Sequence, residues 1–436
     1  METIIGVILL ITYFAFIYYA AKGGNLLLGL FVMAILWSGL CLIAGTIDLA
    51  AVNTTIFQGG PESFGPTAVN IIFGSWFGRI LIETGIARTL IRKAVELGGD
   101  KPSLTVILLS FVVTAIFTTA YGVGAVVAIG VIVFPIMLSL GISKTLATAA
   151  YSMAVGAGLW VNSALLSQAA GTMVIGKEKY VIGPAWYNFA MIAVAIAAVT
   201  YIIMVLISTR KMKKTHAWAA TEGDSGADAQ VKNANFWACI TPILPVAFAI
   251  AFGVQSIPAI ILAVIWALAW TGYLTGWNRI ADVIQKTFHE GVQDVGLVLG
   301  FLLFLQMFIR AAGSAKSLLT PIVAPILPTN LFFLFLVFGV FAVLALFRGP
   351  LTIWGAGAAT FAIIAGQGLY PIAIIFPLFY ITATAITTNI CPTQSWNLWA
   401  IGYTKVTVKD YMWQTLPYAL PMAFVLEMVA YFMFAA

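Results

Sequence analysis

Charge is scarce in this 436-residue chain: Asp, Glu, Lys and Arg together make up 8% of it, while 62% is hydrophobic. A soluble domain carries about 25% charged residues. The shortage excludes a soluble enzyme, a disordered protein and a nucleic-acid binder. Cysteine is scarce too. Cys41, Cys239 and Cys391 lie far apart in the sequence and form no ligand spacing or disulfide framework. There are only two histidines, His216 and His289, and no HExxH pair. Paired aspartates and a serine with a base are also missing, so a membrane-embedded hydrolase is excluded. The opening METIIG lacks a basic stretch, so the apolar run behind it reads as a retained first span and not as a cleaved signal.

Long apolar runs fill the rest, with a mean hydropathy of +1.04. A span needs about 20 apolar residues. Runs fall near 3–21, 26–45, 64–84, 103–118, 122–140, 145–168, 184–208, 236–254, 257–276, 291–311, 330–347, 351–367, 371–396 and 411–435. The runs 103–118 and 122–140 are short and meet at Thr118 to Gly124. The runs 330–347 and 351–367 meet at Arg348, Gly349 and Pro350. Each pair reads as a re-entrant hairpin. The runs 145–168 and 371–396 are broken internally, the first at Gly156, Gly158 and Asn162, the second at Thr387, Thr388, Asn389 and Pro392. The expected fold is an all-α polytopic membrane protein with about ten transmembrane helices and two re-entrant hairpins.

With the N-terminus outside, 15 of the 21 Lys and Arg fall on cytoplasmic segments, as the positive-inside bias requires. The one long polar stretch, 209–235, contains His216 and reads as a cytoplasmic linker between two halves. Shifting the chain by 227 residues places Gly122 on Gly349, Gly141 on Gly368 and Asn162 on Asn389. The order of elements also repeats, and five spans per half make the second half enter the membrane upside down. This is an inverted-topology repeat. Its parts are 1–101 and 102–208 in the first half, 236–317 and 318–436 in the second, and the linker at 209–235.

Paired breaks in inverted halves are the best sequence pointer to a transport site, because non-helical backbone at membrane depth is tolerated only where protein or a water-filled cavity satisfies it. The breaks supply candidate substrate-binding residues: Thr118, Thr119, Gly122, Asn162, Arg348, Gly349, Thr352, Asn389, Thr393 and Gln394. Residues 103–177 and 295–409 contain no Asp or Glu, so the expected cargo is an anion, with Arg348 as its partner. A carbonyl-capping role and pairing with a remote acid stand as alternatives for that arginine. The acid-free core also lacks a proton relay, and sodium needs only oxygens. Asn162, Ser163, Thr387, Thr388 and Asn389 are the candidate sodium ligands, with no other cofactor expected. Glu83 lies four residues after Arg79, the spacing of an i,i+4 ion pair. Glu427 has no partner in its own span and is the candidate proton carrier if the coupling ion is a proton.

The segment FGSWFGRILIETGIARTLIRKAVELGG at 73–99, the two hairpins, the early AKGGNLLLGLFVMAIL and the late ICPTQSWNLWAIG at 390–402 resemble the ion transporter superfamily of secondary organic-anion carriers. That group includes gluconate permeases, citrate carriers and divalent-anion symporters. The Ser-Asn-Thr tips of the divalent-anion branch are absent, so its site assignments do not transfer. The resemblance implies an elevator-type protein, with scaffold helices at 1–101 and 236–317 and transport parts at 102–208 and 318–436, and a homodimer in the cytoplasmic membrane. The function expected is cation-coupled symport of a small organic anion such as a carboxylate or sugar acid. A passive anion channel and a proton-coupled permease are the alternatives.

The loop bias gives a direct test of sidedness. Single cysteines placed in the 209–235 linker should react with an impermeant thiol reagent from the cytoplasmic face only. Labelling there on intact cells would overturn the orientation.

Overall fold

The computed structural model describes residues 2–22, 24–99, 101–175, 178–211 and 234–435. Most of the 209–235 linker, with His216, lies outside the described residues. Among the described residues the regular structure is helical apart from a two-residue antiparallel strand pair, Val174–Ile175 with Glu178–Lys179. Among these residues four helices are long and apolar enough to cross a membrane: Glu2–Tyr19, Pro184–Arg210, Trp277–Ser314 and Val408–Ala435. Two bent pairs raise that number to six. Six shorter apolar helices, among them Pro102–Phe117 and Val123–Ser139, make up much of the remainder. Large apolar side chains such as Ile4, Phe14 and Ile203 are exposed on the outer surface, which suits lipid as the surrounding solvent. The chain is a multi-pass helical membrane protein.

The helices break where the sequence carries breakers. Proline removes an N–H and clashes with the preceding turn. Pro242 and Pro245 accordingly split the 236–252 run into Phe236–Cys239, a 3-10 turn at Thr241–Ile243, and Leu244–Phe252. The helix Lys144–Gly158 stops and resumes as Ser163–Thr172 at a bend of 71°. Leu331–Val340 turns by 55° into a 3-10 stretch, Ala342–Arg348, and irregular backbone follows until the helix Gly357–Gly366. Ile372–Thr382 widens into a π-helix at Ala383–Thr388 before Ser395–Thr404.

Two departures from the sequence reading matter. The run expected at 291–311 is the end of one helix, Trp277–Ser314, of 38 residues. Its polar first half, which carries Arg279, Asp282, Lys286, His289 and Glu290, precedes that run. A helix satisfies its own backbone whatever its side chains, and this half lies along the helix Gly65–Glu83. There Trp76 donates from its indole to the Thr287 hydroxyl at 3.0 Å, and a Cβ on Gly291 would meet the Trp76 backbone at 2.8 Å.

The second departure concerns charge. Arg79 does not pair with Glu83. Its Nε and Nη2 donate to the two carboxylate oxygens of Asp294, each at 2.6 Å, and Glu290 lies 3.4 Å away. Glu83 pairs instead with Lys286 at 2.8 Å. Tertiary partners on the facing helix offer Arg79 a bidentate fork, which an exposed i,i+4 pair does not. The Asp294 carboxylate also fills the space a side chain at Gly124 would take. It therefore sits against the first turn of Val123–Ser139, where the helix dipole favours negative charge. The pair thus ties two long helices to the second arm of the first hairpin.

Arg79 and Asp294 are both largely buried, with side chains 23% and 10% exposed. Asp294→Ala strands the arginine and should lower stability by about 3 kcal/mol. Glu290→Gln, at the longer and more exposed contact, should cost about 0–1 kcal/mol. Thermal unfolding in detergent separates the two. Equal effects would show that the fork is not what holds the hairpin arm.

Candidate functional site

The first hairpin turns between Phe117 and Val123. Gly122, at φ 106°, makes the turn that only glycine adopts freely. A Cβ there would press on Ser75, Val295 and Asp294. The second hairpin turns through Phe347 and Arg348, at φ 52° and 61°. Two successive non-glycine residues in the left-handed region are costly and mark a site where the surroundings impose the conformation.

These two tips wall one cavity of about 280 Å³. Tyr121 and Gly122 come from the first tip and Arg348 and Trp354 from the second. Leu165 and Gln168 come from the helix after the first break, and Thr388, Gln394, Ser395 and Trp396 from the second break. Asn25, Leu27, Leu297, Val298 and Phe301 close the side facing the long helices. No acid lines it.

The two sides of the cavity are built alike. The Tyr121 hydroxyl donates to Gln168 Oε1 at 2.6 Å, across 47 residues. Arg348 Nη2 donates to Gln394 Oε1 at 2.7 Å, across 46 residues. The shift of 227 that superposes Gly122 on Gly349 also superposes Tyr121 on Arg348. In each half, then, the residue before the tip glycine is fixed by a glutamine that follows the break in the helix. The Arg348 fork is held further by the carbonyls of Thr393, at 3.3 Å, and Trp354, at 3.2 Å. These three bonds leave two of its five N–H groups, and Nε has no partner among the described residues. The carbonyl-capping role read for Arg348 is therefore present. Among the described residues no carboxylate pairs with it.

Thr388 apart, the other sequence candidates sit around this cavity and not on its wall. Asn162 caps Ser163–Thr172, its Oδ1 accepting from the N–H groups of Ala164 and Leu165 at 3.0 and 3.1 Å. Its Nδ2 donates to the carbonyls of Phe117 and Ala120 at the first tip, at 3.0 and 2.9 Å. All four hydrogen-bonding positions of the amide are used, which leaves none for an ion or substrate in this conformation. Thr118 and Thr119 donate to the Pro242 carbonyl, at 3.1 and 2.6 Å, and so anchor the tip to the neighbouring run. Gly349 packs its α-carbon against the Leu344 carbonyl. Thr352 accepts from the Trp354 N–H at 3.4 Å. Thr393 meets the Cys391 thiol at 3.1 Å. Thr387 donates to the Ala345 carbonyl at 2.8 Å and Thr388 to that of Thr384 at 2.7 Å. Ser163 faces a different cavity.

Asn389 is the exception. Its Oδ1 is buried without a partner, beside Gly156, where a Cβ would strike it. An oxygen left unpaired in the interior costs about 1–3 kcal/mol, so this atom is the best remaining cation ligand of the sequence set. Asn397, which the sequence reading did not single out, holds the carbonyls of the second break as the Asn162 Nδ2 holds those of the first tip, though its own Oδ1 caps nothing. Its Nδ2 reaches the carbonyls of Thr388, Asn389 and Cys391, at 3.4, 3.3 and 3.1 Å. Tyr121, Gln168, Trp354 and Trp396 were also missed. The 227-residue shift onto Arg348 was the one signal that could have found Tyr121.

No protein-family model and no curated protein sequence matches the chain. The fold is similar to that of the YdaH transporter of Alcanivorax borkumensis, whose crystal structure is described as having an unusual topology. The TM-score is 0.62 with 16% sequence identity, over 94% of this chain and 99% of that one. The likeness is one of fold.

The role found for Asn162 has a stability consequence. Asn162→Ala leaves two carbonyls and two N–H groups unpaired at about 1–3 kcal/mol each before relaxation, so folded yield and Tm should fall sharply. Asn162→Asp keeps the cap and should fall between the variant and the parent. An Asn162→Ala protein with the parent's melting curve in detergent would refute the clamp.

Proposed function

We propose that this protein is a secondary transporter of a small organic anion, such as a carboxylate or sugar acid, coupled to sodium. The observation that carries the proposal is the strained, partly free Arg348 guanidinium on the wall of an acid-free cavity between two hairpin tips. Its remaining N–H groups suit a carboxylate. The glutamines, Thr388 and Ser395 would serve hydroxyls, and the indole of Trp354, also without a partner, is a further donor. A cavity of this size lies at the lower end of the range for ligand pockets, about 300–1,000 Å³, and so favours small acids. The YdaH likeness supports a transporter fold. The carrier superfamily that the sequence resembles, the elevator division into scaffold and transport parts, ten spans, the homodimer and the cytoplasmic membrane belong to the same proposal.

Sodium is proposed as the coupling ion because the site offers neutral oxygens, with Asn389 Oδ1 the foremost. Proton coupling is the second reading, favoured by one observation. Glu427 is fully buried and neither carboxylate oxygen has a partner among the described residues. An unpaired carboxylate in such surroundings is far costlier than the neutral acid.

Purified protein in liposomes, with imposed sodium or proton gradients and a panel of labelled organic acids, tests both readings. Arg348→Lys keeps the charge but loses the fork, so uptake should fall strongly while folding survives, and Arg348→Ala should abolish it. Asn389→Ala should weaken sodium activation more than substrate affinity at saturating sodium. Normal uptake by Arg348→Ala would remove Arg348 as a ligand. Uptake indifferent to sodium but driven by protons would move the coupling to Glu427.

A further inference from the structure

A second cavity, of about 580 Å³, lies on the other face of the helix Ser163–Thr172. Leu165 and Gln168, three residues apart, line the first cavity. Ser163, Leu166, Ser167 and Ala170 line the second, the i, i+3, i+4, i+7 stripe of the opposite helical face. Alongside this helix the structure is closed. A Cβ on Gly74 would meet that of Ala164 at 2.8 Å, and one on Gly171 would strike the Thr67 hydroxyl. Thus a single ten-residue helix, packed against Gly65–Glu83, separates two cavities.

The chemistry of the second cavity matches that of the first. No acid lines it. Among the described residues its one charged lining residue is Lys179, and its polar wall is made of hydroxyls and amides, such as Thr67, Asn70, Ser167 and Gln255. The Ser256 hydroxyl is shielded from solvent without a partner. Tyr180 stacks on Phe376 at 4.1 Å between ring centroids. Burial pushes its phenol up to about 12, so it brings no negative charge to the wall at neutral pH.

We propose that the second cavity is the far mouth of the path served by the first, that it admits the same small organic anion, and that the Ser163–Thr172 helix is the partition between the two. The cargo in this proposal rests on the transporter reading; the partition does not.

Neighbouring residues on the helix should therefore be reached from opposite sides of the membrane. The test uses the full chain with Cys41, Cys239 and Cys391 replaced, in right-side-out and inside-out vesicles. Ser167→Cys and Gln168→Cys are exposed to impermeant methanethiosulfonates, one anionic and one cationic, on ice and without substrate. Initial labelling of Ser167→Cys should occur from one face and be lost from the other, and Gln168→Cys should show the reverse. Should Gln168→Cys fail to fold, Leu165→Cys reads the same face. The anionic reagent should label Ser167→Cys faster than the cationic one. Labelling of both positions from the same face, or no labelling of Ser167→Cys from either, would overturn the partition. Faster labelling by the cationic reagent would overturn the anion assignment. Opposite-face labelling in a protein that moves no organic acid in liposomes would leave the partition standing and refute the transporter reading alone.

Discussion

Backbone that leaves the helix at membrane depth must find its hydrogen bonds inside the protein, and the arrangement of this molecule follows from how that requirement is met. Each broken helix is secured by one asparagine. Asn162 bonds to the first tip and to the start of Ser163–Thr172, and Asn397 gathers three carbonyls of the second break. Arg348 adds the carbonyls of Thr393 and Trp354. Only because the breaks are held this firmly can Arg348 and Tyr121 be presented to a cavity in fixed positions. The preorganisation that a binding site needs is thus supplied by the same bonds that make the breaks tolerable.

The halves repeat at the level of the site more faithfully than at the level of the breaks. Tyr121 with Gln168 and Arg348 with Gln394 are equivalent pairs, yet one carries a neutral phenol and the other a cation. A symmetric frame thereby gives an asymmetric site, with the positive charge on one wall only. The breaks differ further. The first is a capped bend of 71°, while the second passes through a π-helical turn and leaves Asn389 Oδ1 unpaired. The Asn162–Asn389 equivalence seen in the sequence therefore joins two residues with different surroundings, one saturated and one free.

What the sequence disclosed was the placement of the irregular backbone. Gly122, Arg348, Thr388 and Gln394 stand out by residue type within apolar runs, and all four line the cavity. Tyr121, Trp354 and Trp396 did not stand out, because aromatic residues within apolar runs read as core. Gln168 lay five residues beyond Ser163, the end of the hydroxyl and amide cluster that drew attention, on a face that only the bend defines. Asp294 was missed for a similar reason. It falls one residue before the acid-free stretch 295–409, and pairing by sequence distance assigned Arg79 to Glu83. The helix Trp277–Ser314 was read short because its polar half resembles a boundary. Partners 215 residues apart leave no local trace in a sequence.

The account turns on the claim that both hairpin tips contribute to one anion site. Trp354 and Trp396 lie on the cavity wall, one beside each glutamine clamp, so binding can be read as a change in indole fluorescence. The direct measurement is a titration of detergent-purified protein with organic acids, following this signal in the parent, in Tyr121→Phe and in Arg348→Ala, with Trp354→Phe and Trp396→Phe locating its source. The account predicts a saturable change that weakens in Tyr121→Phe, vanishes in Arg348→Ala and comes from those two indoles. An unchanged titration in Arg348→Ala, or a signal that survives loss of both indoles, would contradict it.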